Sequence, residues 1–155
     1  MHRDIKPENI LVERDPSGTV NHSYLIDFGL STFEDYNGPE KQMWGTLGYS
    51  APEVFQEDGY SHTIDIWEHS YFKFDFSIFS LGIVFYFLVT GELPFDDPSD
   101  NKIIELTTKN ALPFKSSKFS HLDQRLPELL QDMTNKSPSA RITIKECLNH
   151  PYFNS

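Results

Sequence analysis

The feature that most constrains the fold is an apolar run at residues 76–89 in an otherwise polar chain. The run is shorter than the ~20 residues that a helix needs to cross a bilayer, so we expect no membrane span. A helix that is apolar on every side is buried. Residues 63–90 therefore predict, in their second half, a core helix that ends at Gly91 and Pro94.

The elements on either side of this run predict a single mixed domain. Residues 9–13 and 23–27 have strand character and enclose the turn signal Asp-Pro-Ser-Gly, so they predict a small β-hairpin. Residues 30–50 predict a long loop, and a loop of that length is usually functional. Short helices are predicted from residue 51, and at residues 101–109, 126–133 and 142–148. The expected fold class is mainly α with a small β-hairpin, of the α+β type.

The overall charge and the cysteine content exclude several classes of function. A net charge of −10 argues against nucleic acid as a partner, because phosphate backbones are bound by Lys and Arg. The acidic balance is compatible with basic peptides and also with a plain solvated surface. The single cysteine, Cys147, cannot form an internal disulfide, so we expect a cytoplasmic location, with the nucleus as the alternative. The His and Cys residues show no metal-ligand spacing.

Three short motifs follow one another in a fixed order. Residues 2–9 read His-Arg-Asp-Ile-Lys-Pro-Glu-Asn, residues 27–29 read Asp-Phe-Gly, and residues 51–53 read Ala-Pro-Glu. Together they resemble the catalytic loop, the metal-binding element and the end of the activation segment of protein kinases. Any one of them alone would be weak, but three in family order are specific. The resemblance covers nearly the whole chain and implies the C-terminal lobe of a kinase domain.

The resemblance implies phosphoryl transfer from ATP with Mg²⁺ as cofactor. This reaction depends on a positioned hydroxyl and on neutralised phosphate charge. Asp4 is then expected to orient the substrate hydroxyl and accept its proton, while Asn9 and Asp27 hold Mg²⁺. Lys6 is implied to lie near the transferred phosphate, and Leu11 to contact the nucleotide.

Two positions imply the class of substrate. Lys6, two residues after Asp4, is the serine/threonine pattern, and Thr46 is implied to bridge these two side chains. The expected partner is a protein or peptide that presents Ser or Thr. The sequence as a whole is similar to the calmodulin-dependent group of kinases. Glu8 matches a residue that reads a basic side chain of the substrate. A second acidic position of basic-directed kinases is Phe87 here, so this preference stays open.

Other positions are implied to have scaffold roles. Glu53 and Arg141 are expected to form a buried ion pair. Arg3 is expected to bind a phosphate group on the activation loop. Related kinases carry a phosphorylatable Thr in this loop, but this chain has Gln42 at that position. Asp65 is expected to accept hydrogen bonds from the catalytic-loop backbone, the alternative being a plain helix N-cap. The residues with an implied structural role also include His2, Phe28 and Gly29.

The resemblance begins at the catalytic loop, so the elements that clamp ATP in the family have no counterpart in this sequence. We therefore expect a partial kinase domain, residues 1–155, without its N-terminal lobe and inactive alone, since ATP binding needs that lobe. The alternative is a kinase-derived binding module without catalysis. Intact Asp4, Lys6, Asn9 and Asp27 favour descent from an active enzyme.

Residues 68–79 predict an insertion in the central helix. They separate Asp-Ile-Trp at residues 65–67 from Ser-Leu-Gly at residues 80–82, which are contiguous in the family pattern. A second alignment matches residues 77–82 directly, with Ser77 in place of Asp. The segment carries four Phe and one Tyr, whereas a surface loop is expected to be polar. We interpret it as translated non-coding sequence, or else as a hydrophobic docking insert, and expect its deletion to raise solubility.

Overall fold

The structure, a computed structural model, describes residues 2–31, 45–55, 76–114 and 117–154. These ranges contain four α-helices and one two-stranded antiparallel sheet, which confirms a mainly helical fold with a small hairpin. Of the helices in these ranges, none has the length and hydropathy that crossing a bilayer requires. The strands are β1 (Ile10–Arg14) and β2 (Val20–Leu25), and the helices are α1 (Phe76–Thr90), α2 (Asp100–Lys109), α3 (Arg125–Met133) and α4 (Ile144–Leu148).

The hairpin is held at its tip by one aspartate. The Asp15 carboxylate accepts hydrogen bonds from the backbone N–H groups of Ser17 at 2.8 Å and Thr19 at 2.9 Å. Gly18 supplies the positive φ of 88° that this turn requires. A bulge between Glu13 and Arg14 then shifts the pairing near the tip.

The strands differ from the predicted 9–13 and 23–27, and β2 begins three residues earlier than predicted, at Val20. Two further departures lie at the other end of the hairpin. Strand β1 starts one residue later, because Asn9 is the last residue of a short 3-10 helix, Pro7–Asn9. Strand β2 ends before Asp27, whose φ of 60° takes the chain out of the extended conformation. Both departures occur at residues that carry predicted functional side chains.

Helix α1 forms the centre of the core, as the apolar run predicts. Phe79 and Ile83 are completely buried. Gly82 lets α1 approach α3 closely, since a Cβ there would lie 2.8 Å from Thr134 Cγ2 and 3.0 Å from Met133 Cβ. Gly91, with a φ of 72°, ends the helix where the sequence predicts.

The helices after α1 follow their sequence signals closely. Helix α3 is amphipathic and buries one apolar stripe against α1. Helix α4 begins at Ile144 rather than at the predicted Ile142, because Thr143 and Glu146 form a reciprocal capping box. The buried stripe of α3 consists of Leu126, Leu129, Leu130 and Met133.

The structure describes the predicted insertion, residues 68–79, only from residue 76 onward. Residues 68–75 lie outside the described residues. Residues 76–79 form the first turn of α1, where Ile78 and Phe79 are buried in the core, so these four residues belong to the central helix. The second alignment, with Ser77 in place of Asp, fits them. Deleting all of 68–79 would remove two core side chains, which is costly.

A buried ion pair joins distant parts of the chain. The Arg141 guanidinium donates to Glu53 through Nη1 at 2.5 Å and through Nη2 at 2.9 Å. Its Nε donates to the Asn135 carbonyl at 3.0 Å. The Arg141 and Glu53 side chains are only 3% and 7% exposed. Each buried charge is therefore compensated by the other. The pair fastens the 3-10 helix Pro52–Phe55 to the segment that precedes α4.

We expect Arg141→Ala to destabilise the fold by about 3–5 kcal/mol, because Glu53 would remain buried without its counter-ion. Denaturant unfolding followed by circular dichroism measures this loss. The matched control is Arg125→Ala, since Arg125 pairs with Asp123 at the exposed surface. Equal losses for the two variants would contradict a special role of the buried pair.

Beside this pair lies an ammonium group in an unusual environment. The Lys136 Nζ lies 4.2 Å from the ring centroid of Phe95 and 5.0 Å from that of Phe79. It is buried and has no hydrogen-bond partner among the described residues. Burial, and secondly the charge of Arg141, lower the pKa of Lys136 from 10.5 to about 8, against the opposing charge of Glu53. The two rings supply cation–π contact in place of a hydrogen bond.

The lowered pKa predicts how stability depends on pH. Between about pH 8 and 10.5 the unfolded chain binds more protons at Lys136 than the folded chain, so this residue makes stability rise with pH. Lys136→Met, which keeps the stem without the charge, should be more stable than the parent at pH 7. We expect that advantage to shrink as the pH rises to 10, measured by urea unfolding at each pH. A constant difference would contradict the lowered pKa.

Candidate active site

The side chains of Asp4, Lys6 and Thr46 contact one another. The Thr46 hydroxyl donates to Asp4 Oδ1 at 2.6 Å. The Lys6 ammonium donates to Thr46 Oγ1 at 2.8 Å and forms an ion pair with Asp4 Oδ2 at 2.9 Å. The structure therefore brings these three predicted residues together in a closed triangle, although Thr46 lies far along the chain. Their catalytic roles stay predictions.

Asn9 completes the support of Asp4. Its Nδ2 donates to the Asp4 backbone carbonyl at 2.8 Å and to Asp4 Oδ2 at 3.1 Å. Both residues are buried, with 6% and 9% exposure for Asn9 and Asp4. Since Nδ2 is used twice, Oδ1 is the atom of the Asn9 amide that remains for another ligand.

The environment keeps Asp4 ionised. Burial alone would raise the pKa of Asp4, but hydrogen bonds from Thr46, Lys6 and Asn9 and the charge of Lys6 together lower it below its ordinary value. At neutral pH the carboxylate is therefore an acceptor. Its two oxygens are held in one orientation by donors on both sides.

A glycine that the motifs did not assign to the site positions Thr46. Gly45 has a φ of 109°. A Cβ at this position would lie 2.6 Å from Ser50 Oγ and 2.9 Å from the Arg3 carbonyl oxygen, so no other residue fits without a shift. Ser50 then donates to the Thr46 carbonyl at 3.0 Å. The Gly-Thr dipeptide is the sequence signal that could have assigned Gly45 to the site. No sequence signal indicates the close approach of Ser50.

The second predicted metal ligand lies at the same end of the hairpin as Asn9. The Ile26 N–H donates to the Asn9 carbonyl at 2.9 Å, which sets the next residue, Asp27, beside the catalytic loop. Asp27 is exposed, and its Oδ1 accepts from the Gly29 N–H at 3.2 Å. The pairing of the strands therefore carries both predicted ligands to one place.

His2 links the catalytic loop to the Asp-Phe-Gly element. Its Nδ1 accepts from the Asp4 N–H at 3.3 Å, so its Nε2 carries the proton and donates to the Ile26 carbonyl at 3.0 Å. Its ring meets Phe28 edge to face at 4.9 Å. Arg3 and Asp27 adopt positive φ angles of 73° and 60°, a strained backbone typical of functional sites.

The remaining predicted residues lie in different places. Leu11 is on β1 and Glu8 is exposed on the 3-10 helix Pro7–Asn9, while Glu53 and Arg141 form the structural ion pair described above. Asp65 lies outside the described residues, as does Gln42 in the activation loop, so their predicted roles stay predictions.

We expect Thr46→Val to raise the pKa of Asp4, because the variant removes a donor from the carboxylate while its burial remains. Carbon-13 NMR of labelled aspartate carboxyls in metal-free buffer measures this change. Thr108→Val is the matched control, since the Thr108 hydroxyl bonds only to backbone carbonyls within α2. An unchanged titration in Thr46→Val would contradict the proposed support of Asp4.

Comparison with protein families adds an independent finding. The model of the protein kinase domain family matches residues 1–153. The chain is similar to a calcium/calmodulin-dependent protein kinase type I of Schizosaccharomyces pombe, with 32% identity over 157 residues, which cover 98% of this chain and 42% of the relative.

Two further relatives show the same similarity. The serine/threonine-protein kinase cds1 of Schizosaccharomyces pombe is 35% identical over 159 residues, which cover 98% of this chain and 31% of the relative. Sperm motility kinase 3A of Mus musculus is 37% identical over 153 residues, which cover 98% of this chain and 26% of the relative. The chain thus spans less than half the length of each of these relatives.

Proposed function

The chain belongs to the protein kinase family, and from this premise we propose that it supplies the catalytic and substrate-binding part of an ATP-dependent serine/threonine kinase. The observation that carries the proposal is the closed triangle of Asp4, Lys6 and Thr46. It combines an ionised, oriented carboxylate with an ammonium group at the place where a hydroxyl and a phosphate would meet. The names of two of the relatives, a calcium/calmodulin-dependent protein kinase and a serine/threonine-protein kinase, support the same reaction.

In the proposed mechanism Asp4 acts on the incoming hydroxyl. The carboxylate accepts a hydrogen bond from the substrate Ser or Thr, fixes the direction of its oxygen, and takes its proton as transfer proceeds. Thr46 and Asn9 hold the carboxylate so that little reorganisation is needed. Lys6 supplies positive charge beside the reacting oxygens while it remains bonded to Thr46.

The residues at the end of the hairpin suit magnesium. The Oδ1 of Asn9 and the exposed Asp27 carboxylate are hard oxygen ligands, and Mg²⁺ bound with a nucleotide typically takes one or two carboxylates plus phosphate oxygens. When bound, Mg²⁺ neutralises phosphate charge; Asn9 and Asp27 would hold it.

The choice of Ser or Thr over Tyr is proposed from the same triangle. Lys6 and Thr46 match the serine/threonine pattern of the family, and their contact with Asp4 keeps the acceptor close to the backbone of the catalytic loop. This argument favours protein substrates that present Ser or Thr.

We expect the chain, joined to the nucleotide-binding lobe of a related kinase, to transfer labelled phosphate from ATP to Ser or Thr of a basic protein. Asp4→Asn and Asp27→Asn should each lower the rate at least about a hundredfold, since they remove the base and a metal ligand. Phosphoamino-acid analysis identifies the labelled residue.

The matched control for this test is Asp96→Asn, an exposed carboxylate between α1 and α2. It should leave the rate unchanged, and thermal unfolding should show that all three variants remain folded. Predominant phosphotyrosine would contradict the assigned substrate class. If transfer is absent although ligands bind, the non-catalytic binding module would become the better interpretation.

A further inference from the structure

One hydroxyl residue of the chain directly precedes a proline. This residue is Ser137, and the sequence holds no other Ser-Pro and no Thr-Pro dipeptide. Ser137 is exposed, and its hydroxyl lies 3.0 Å from that of Ser139, which is exposed as well. Its backbone is extended, with a φ of −82° and a ψ of 116°. An exposed hydroxyl on an extended segment between two elements is accessible to a modifying enzyme.

The loop around Ser137 is tied to the buried ion pair of Arg141 and Glu53. The Ser137 N–H donates to Asn135 Oδ1 at 3.0 Å. The Asn135 carbonyl in turn accepts from Arg141 Nε at 3.0 Å. Because Asn135 contacts both residues, a group added at Ser137 has a defined position relative to the ion pair.

The same loop holds buried positive charge that is not fully balanced. Arg141 is paired with Glu53. The Lys136 ammonium is buried against two aromatic rings, and it has no hydrogen-bond partner among the described residues. Lys136 and Ser137 are neighbours in the chain, so their Cα atoms are about 3.8 Å apart. A negative charge at Ser137 is therefore attracted by the Lys136 cation.

We propose that Ser137 is a phosphorylation site for a proline-directed protein kinase, and that its phosphate offsets the buried positive charge of Lys136. In this reaction the Ser137 Oγ forms a bond to the γ-phosphorus of ATP, the bond between that phosphorus and the β-phosphate oxygen breaks, and ADP leaves. The hydroxyl proton goes to the base of the modifying kinase. The phosphate adds a charge of about −1.5 to −2 at pH 7 and stabilises the loop that holds Arg141. The inference does not depend on whether this chain itself transfers phosphate.

Labelling of the folded whole chain tests the site. A purified cyclin-dependent kinase serves as the proline-directed probe, with labelled ATP. We expect peptide mass spectrometry to find the phosphate on Ser137, and Ser137→Ala to lose it. Ser139→Ala is the matched control, because it removes the neighbouring hydroxyl but keeps the Ser-Pro dipeptide, and it should be labelled like the parent. A label on another residue, or a label that enters only the urea-unfolded chain, would overturn the inference.

Thermal unfolding tests whether the phosphate acts through Lys136. Phosphorylation of Ser137 should raise the Tm of the parent by about 2 °C at low salt, and by less in Lys136→Met, which lacks the cation. Ser137→Asp should give part of the gain. Ser120→Asp is its matched control, because it adds the same charge at an exposed serine outside this loop, and it should give none. An absent gain, or an equal gain in the parent and Lys136→Met, would overturn the proposed charge compensation.

Discussion

The bidentate contact between Arg141 and Glu53 is the constraint on which the geometry of the site depends. Glu53 lies a few residues after Thr46, and Arg141 lies just before the last helix. Because the segment from Gly45 to Phe55 is fastened at one end by this pair and at the other by Thr46, its path between them is short and determined. The ion pair thus limits where the segment that carries Thr46 can lie, while Gly45 and Ser50 set the local conformation of Thr46.

The surroundings of this ion pair show how a buried charge is balanced by aromatic rings. Phe79 faces the Arg141 guanidinium at 5.2 Å and the Lys136 ammonium at 5.0 Å. Glu53 offsets one of these two positive charges. The second is left to the faces of Phe79 and Phe95, which attract cations but solvate them less well than water does. Phe79 therefore contributes to the core both as an apolar side chain and as an acceptor of charge.

Much of the fold and of the site was predictable from the sequence because the signals are local or come as fixed motifs. The apolar run predicts α1, and the Asp-Pro-Ser-Gly signal predicts the hairpin. The resemblance to protein kinases implies that Asp4, Lys6 and Asn9 lie in one site. The start of α4 was predicted two residues early, although Thr143 and Glu146 have the spacing of a capping box, which is a local sequence signal.

Distant contacts that no family motif implies were beyond the reach of the sequence. The closeness of Ser50 and Arg3 to Gly45 follows from how three segments converge, and no pattern encodes it. The same holds for the environment of Lys136, a polar residue in a loop that the fold places over two aromatic rings. The boundary of the predicted insertion was also ambiguous, because residues 65–67 and residues 77–79 both match the same part of the family pattern.

The bulge between Glu13 and Arg14 has a consequence for how the hairpin can change. Strand pairing next to the site is fixed by the Ile10–Leu25 pair and the Ile26–Asn9 hydrogen bond. Near the tip, the bulge already shifts the strand register. A bulge absorbs an extra residue by local twist. The tip can therefore gain or lose residues without moving Asn9 relative to Asp27, and it is the natural place in this domain to graft a tag or a fluorescent reporter.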